Sequence, residues 1–201
     1  MKKGAKLDGD FYLRGDVVRI AKELLGKSLV TQFQGKRTSG MIVETEAYCG
    51  TDDRACHANN GRRTARNDVM YGPGGHAYVY LCYGLHHLFN VVTNREGRAD
   101  AVLIRALVPL ERIDVMLRRR KMKELQPRLA SGPGALTEAL GIRVKHNRTD
   151  LSGASIWIED CGIEFGKNEI WAGPRVGVSY AGEHSLRPWR FCVKTKDGVI
   201  K

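Results

Sequence analysis

The sequence predicts a single α+β domain over residues 1–201, and three observations lead there. Period-two alternation of apolar and polar residues recurs at 28–33, 41–48, 76–83 and 85–93, as expected of strands with one covered face. Two other stretches, 16–26 and 110–125, instead carry apolar stripes at helical spacing. Finally, 201 residues at 42% hydrophobic content, with no repeat and no linker, suffice for one core without disulfides.

Taken in order, Asp16 can cap a helix whose stripe is Val17, Ile20, Ala21, Leu24 and Leu25, with Gly26 to end it. Ala21 to Ser28 reads A-x-x-x-x-G-K-S, one residue from a phosphate-binding loop. Gly26 stands where a helix ends, not in a glycine-rich loop before one, so the likeness is accidental. Strands 28–33 and 41–48 are joined by a turn around Gln34-Gly35-Lys36-Arg37. Residues 49–69 are polar and irregular, including Asp52, Asp53, His57, Arg66 and Asn67. A connection of that length is expected to line a pocket or meet a partner.

After the turn Gly72-Pro73-Gly74-Gly75, strand 76–83 places Tyr78, Tyr80 and Cys82 on one face, and Val79, Leu81 and Tyr83 on the other. Gly84 then breaks the run, and a bulge or bend there would carry Tyr83 to a hairpin tip. A buried strand is expected at 101–107, ended by Pro109. Its Arg105, a charge in an apolar run, either pairs with an acid or faces a groove. The helix predicted over 110–125 turns Leu110, Ile113, Met116 and Leu117 inward and crowds Arg118, Arg119, Arg120, Lys121 and Lys123 at its far end. Ser131-Gly132-Pro133-Gly134 leads into a short helix at 135–140, and strands are expected at 155–159, 175–179 and 189–193.

Lys+Arg number 33 against 22 Asp+Glu, a formal net charge of +11, which favours DNA, RNA or an anionic membrane surface as partner. Five widely spaced cysteines without a C-x-x-C read as reduced thiols of an intracellular protein, and Cys49, Cys56 and His57 fit no zinc spacing. The start, Met1-Lys2-Lys3, is followed by Lys6, Asp8 and Asp10 and not by an apolar stretch. Neither a secretory signal nor a membrane span is expected, which leaves the Asn147-Arg148-Thr149 acceptor motif without meaning.

No G-x-S-x-G and no cysteine motif marks a nucleophile, so carboxylate chemistry remains. Glu44 and Glu46 lie on one strand face, about 7 Å apart at Cα from the strand rise, with Tyr48 following. Either one can take a proton from water as it attacks an electron-poor carbon. A carboxylate also stabilises the oxocarbenium-like state formed when a bond to sugar C1 breaks. Either both reach one substrate, or one of them is paired with an arginine. Aromatics beside such a group on a basic protein suit an enzyme that lifts a base from a duplex, at a cost of a few kcal/mol. Stacking on aromatic rings returns about 1–3 kcal/mol per base, and positively charged alkylated purines gain further from cation–π attraction.

Several segments together resemble the alkyladenine (methylpurine) DNA glycosylases, which remove damaged purines. They run from Val17-x-x-Ile20-Ala21-x-x-Leu24-Leu25-Gly26 to Arg175-Val176-Gly177-Val178 and Trp189-Arg190-Phe191, nearly the whole chain. The most specific are Val43-Glu44-Thr45-Glu46-Ala47-Tyr48, His57, Thr64-x-Arg66-Asn67, Tyr78-Val79-Tyr80-x-x-Tyr83-Gly84, Asn90 and Leu103-Ile104-Arg105-Ala106. The resemblance implies a mixed, mostly antiparallel curved sheet with flanking helices and a hairpin that enters the DNA minor groove. It implies Glu46 as the water-activating base, with Arg105 near the water and the neighbouring phosphate. Tyr48, His57 and Tyr80 would surround the extruded purine, Asn90 would form the pocket floor, and Tyr83 would be the wedge. A monofunctional monomer is implied, with no metal, cofactor or lysine Schiff base. It would act on double-stranded DNA containing damaged purines, away from membranes, in a bacterial cytoplasm (or a nucleus, if eukaryotic). Two rivals are a helix-hairpin-helix glycosylase, built on Ser131–Gly134 with Asp150 and Lys145, and a non-catalytic module whose tyrosines stack bases. Methylated adenine, deaminated adenine and etheno adducts all stay open as lesions.

Overall fold

The computed structural model describes residues 4–195 and 198–199; Met1-Lys2-Lys3 lies outside them. Along the chain come β1 (Ala5–Lys6), α1 (Gly9–Leu13), α2 (Val17–Glu23), β2 (Ser28–Phe33), β3 (Lys36–Cys49), β4 (Ala77–Cys82) and β5 (His86–Thr93). β6 (Asp100–Glu111), α3 (Ile113–Arg119), α4 (Pro133–Leu140), β7 (Ile156–Asp160), β8 (Ile170–Gly173), β9 (Arg190–Thr195) and β10 (Gly198–Val199) follow. The strands form one antiparallel sheet in the order β1-β7-β2-β3-β6-β5-β4, with β8, β9 and β10 branching from β3 through β9. This is the α+β class the sequence predicts, with helices against a sheet whose strand pairs are all antiparallel among the described residues, not mixed.

β3 is the pivot. Its first half pairs with β2 through a two-residue turn in which Gln34 (φ 51°) and Gly35 (φ 72°) are both left-handed, the geometry that suits strand twist. At Glu44 it exchanges β2 for β9, while β6 pairs along its other side from Ser39 to Cys49. Register shifts next to Gly40 and around Glu44 mark bulges, which bend the strand. The Asp16 carboxylate caps α2 by accepting the Arg19 N–H at 2.9 Å. α2 packs on β3, where the Thr45 hydroxyl donates to the Ala21 carbonyl at 2.7 Å. α4 lies on β5 and β6, and Leu24, Ile42, Phe89, Ile104, Leu136 and Leu140 meet in the core. β4 is an edge strand, and its outward Val79 N–H is satisfied by the Asn147 side chain at 3.0 Å.

Four expectations need correction. β3 begins at Lys36, five residues before the predicted start, because only the two-residue turn separates it from β2. β6 runs on through Pro109 to Glu111; Pro109 shares its side of the strand with Leu107, whose N–H turns from β3 to the Ala130 carbonyl, so the missing N–H removes no bond to β3. The helix over 110–125 is only Ile113–Arg119, since Leu110 belongs to β6, and Arg112 (φ 54°) and Lys121 (φ 52°) break the helical path on either side. The segment 175–179 is no strand; its backbone and the Arg175 side chain are spent on the site described below, and the strand lies earlier, at β8. Among the described residues no helix is long and apolar enough to cross a membrane, and all five cysteines are unpaired.

Candidate active site

The face of β3 opposite α2 presents Glu44, Glu46 and Tyr48, so the period of two survives the bulges. Glu46 is 0% exposed. Its Oε2 accepts from the Tyr48 hydroxyl at 2.8 Å, and its Oε1 accepts from the Val176 N–H at 2.8 Å, with Arg105 Nε 3.4 Å away. Although the carboxylate is buried and ion-paired, a cleft of about 660 Å³ opens beside it, because Tyr48, Arg105 and Val176 all line that cleft. Burial pushes the Glu46 carboxyl up; Arg105, the Val176 N–H and Tyr48 pull it part of the way back, and Glu44 adds to the rise. A carboxylate with a raised pKa is a stronger base than an exposed one. Burial and the Glu46 charge hold Tyr48 well above the usual phenol range, so it stays a hydroxyl donor.

Aromatic rings form the cleft walls. Tyr78 and Tyr80 lie on one face of β4 with ring centroids 5.2 Å apart, and His57 stands edge-on to Tyr80 at 4.9 Å. The His57 Nδ1 and Tyr78 hydroxyl are 2.8 Å apart. Asn90, on β5, is buried at the lining with its amide donating to the Tyr78 carbonyl at 3.1 Å. The Arg66 guanidinium covers the Tyr80 ring at 4.5 Å. The long segment after β3 thus folds back as three short 3₁₀ turns, Gly50–Asp52, Asn59–Gly61 and Asp68–Tyr71, and forms part of the wall.

Burial, with Arg66 and Arg62 nearby, lowers His57 from its ordinary 6.5 to about 4. The unfolded imidazole takes up a proton near 6.5 and the folded one resists until about 4. The stability this neutral histidine contributes is therefore complete above pH 6.5 and declines as pH falls toward 4. His57→Gln should lose less stability than the wild type between pH 7 and 5, read as the shift in urea midpoint. An equal loss in both proteins would contradict a proton-resisting imidazole.

At the cleft mouth, β4 and β5 meet in a tight hairpin. Tyr83 (φ 50°) and Gly84 (φ 71°) both turn left-handed, and the Leu85 N–H closes on the Cys82 carbonyl at 3.0 Å. A left-handed tyrosine is uncommon and costs backbone strain, and this one is 90% exposed, beside an exposed Leu85. Tyr180 is a second exposed aromatic that lines the cleft, its hydroxyl tethered to the Ala55 carbonyl at 3.2 Å.

All seven sequence-predicted residues, Glu46, Arg105, Tyr48, His57, Tyr80, Asn90 and Tyr83, therefore line the cleft or stand directly behind it. Two grooves of larger volume, about 880 and 900 Å³, lie elsewhere; the first runs beside α2, on the face of β3 that Glu46 turns away from. Asp150 sits outside the cleft in a bridge to His76, its carboxylate accepting the Ser152 N–H at 2.8 Å. Sequence reasoning missed the support for Val176. Arg175 and Asp53 form a fully buried ion pair, with Arg175 Nη2 donating to Asp53 Oδ1 at 2.8 Å and Nη1 to the Ala47 carbonyl at 2.9 Å. The available signal was a charged residue at each end, Asp53 in the polar segment and Arg175 within the resemblance.

Comparison with known proteins fixes the class. A family model described as methylpurine-DNA glycosylase matches residues 10–197, which makes the protein a DNA glycosylase, a hydrolase acting on N-glycosyl bonds. A Chlamydia felis protein is 48% identical over 192 residues, covering 94% of this chain and 97% of that protein. One from Clostridium acetobutylicum is 47% identical over 199 residues, covering 94% of each chain. A third, from Methanocella arvoryzae, is 45% identical over 196 residues, covering 97% of this chain and 96% of its own. All three are named "Putative 3-methyladenine DNA glycosylase". The chain belongs to the methylpurine-DNA glycosylase family.

Proposed function

We propose that the protein rotates alkylated or deaminated purines out of duplex DNA and hydrolyses the N-glycosidic bond with a water activated by Glu46, leaving an abasic site. One observation carries the reading: a buried carboxylate with a raised pKa stands directly behind a cleft walled by Tyr48, Tyr80 and His57. Glu46 takes the proton as the water oxygen bonds to the sugar C1 and the bond to the base breaks. A positively charged alkylated purine departs as a neutral base and needs no acid to assist it; a neutral deaminated purine departs as an anion that takes its proton from solvent water. The carboxylate also opposes the positive charge that develops on the sugar. Tyr48 and Tyr80 stack on the extruded base, and neutral His57 lines the same slot. Asn90, fixed by the Tyr78 carbonyl, sits at the floor and crowds the exocyclic amine of normal guanine. Arg105 turns its terminal nitrogens toward the water and the adjoining phosphate.

Tyr83, at the strained and exposed hairpin tip, enters the minor groove and fills the gap left by the rotated base. Filling that gap matters only where a stack has been broken, so Tyr83→Ser should weaken capture of a lesion in a duplex about tenfold and spare single-stranded capture. Equal weakening on both substrates would rule out the wedge. The functional test itself is free-base release from duplexes bearing methyladenine, hypoxanthine or ethenoadenine, with unmodified duplex as control. Release from none of them would end the proposal.

A further inference from the structure

Glu44 has no part in the mechanism above, yet it is a 7% exposed carboxylate two residues from Glu46 on the same face of β3. Its Oε1 accepts from Arg105 Nε at 2.9 Å, closer than the 3.4 Å from the same nitrogen to Glu46. Arg190, on β9, approaches Glu44 from the other side at 3.6 Å, its guanidinium over the Trp171 ring. Among the described residues, Nε is the one side-chain nitrogen of Arg105 that makes a hydrogen bond, although the side chain lines the cleft. The two terminal nitrogens of the guanidinium, with four N–H donors, have no partner among the described residues.

We propose that Glu44 is a positioning residue: it holds Arg105 by its Nε edge, so that the terminal nitrogens serve the cleft and the guanidinium does not pair bidentately with Glu46. The proposal rests on Glu46 being the general base. Arginine and carboxylate pair most strongly as a two-bond fork. Without a competing acid, Arg105 would close that fork on Glu46, fill its lone pairs and weaken it as a base. Glu44 divides the guanidinium between two carboxylates, and its own charge beside Glu46 acts in the same direction.

The readout is the acid limb of the single-turnover rate of base release against pH. Glu46 is faced by Glu44 and Tyr48 from β3, Arg105 from β6, Tyr80 from β4, and Arg175 with the Val176 N–H from the segment after β8. Of these, Glu44→Gln removes the one negative neighbour and releases Arg105 toward Glu46. Both changes lower the Glu46 pKa, so the limb should move to lower pH by about one unit, and the plateau rate should fall severalfold because the base is weaker. Glu44→Asp keeps the charge but retracts it by one methylene and loosens Arg105, so its limb should move less than that of Glu44→Gln and its plateau should fall. Glu46→Gln is run beside them. Release at the wild-type rate in Glu46→Gln would overturn the functional reading and this inference together. Loss of release there, with an unmoved limb in Glu44→Gln, would overturn the inference alone. Should Glu44→Gln fail to fold, Glu44→Asp decides the matter: a wild-type plateau would refute the positioning role.

Discussion

Glu46→Gln should bind a damaged duplex about as tightly as the wild type and release free base about 10²–10⁴-fold more slowly, the usual contribution of a positioned general base. The amide is nearly isosteric and can keep the local bonds. Its oxygen accepts the Val176 N–H in place of Oε1, and its NH₂, in place of Oε2, donates to a Tyr48 hydroxyl rotated to accept. The cleft walls come from other residues and stay as they are. What disappears is a group able to take a proton from water and a negative charge behind the sugar. Fluorescence anisotropy on a lesion duplex measures the first quantity, and single-turnover release of free base the second. Undiminished release would move the chemistry away from Glu46, whatever the binding result.

The sequence made much of this site legible because its groups sit on regular strands. Alternation along β3 joins Glu44, Glu46 and Tyr48, and alternation along β4 joins Tyr78 and Tyr80; neither inference needs tertiary knowledge. The choice between the two glutamates lay beyond alternation and came from the resemblance. In the structure the two differ by environment: Glu46 receives a backbone N–H from Val176, while Glu44 is held between two arginines. That N–H comes from residues 130 positions away, on an irregular segment. A local pattern of Val176 and Val178 resembles a strand, but a buried Arg175 and a left-handed Gly177 (φ 74°) override it. Pro109 misled in the opposite sense, since its nitrogen lies on the side of β6 turned from β3 and the extra residue of the adjoining bulge, Leu110, pairs with nothing across from it. A Cβ at Gly40 would stand 2.9 Å from the Leu107 Cβ, so the close approach at that bulge is itself a contact between distant residues.

Asp53→Asn should cost about 3–5 kcal/mol of stability, the penalty for leaving one member of a buried pair without its partner. Arg175 cannot relieve the loss by shedding its proton, and its side chain is 0% exposed. Its bonds to the Ala47 and His184 carbonyls remain, but neither of those acceptors carries a charge. The Arg175 side draws Asp53 below the ordinary carboxylate value despite the opposing effect of burial, and the N–H groups of Ala55 and Cys49 contribute. With the folded pKa depressed, the pair's contribution is complete above the ordinary value of 3.8 and is lost as pH falls through the lower folded value. The gap between wild type and Asp53→Asn should therefore narrow below about pH 3.8. Arg175→Met should cost less, because a buried carboxyl left alone can take up a proton and become neutral. The double variant should recover part of the Asp53→Asn loss, since no charge is then stranded. Urea unfolding of all four proteins at pH 7 gives the coupling. Additive losses would mean that the two side chains act independently. Base release should fall in Asp53→Asn even where the protein is fully folded, because Arg175 no longer fixes the adjoining Val176 N–H against Glu46.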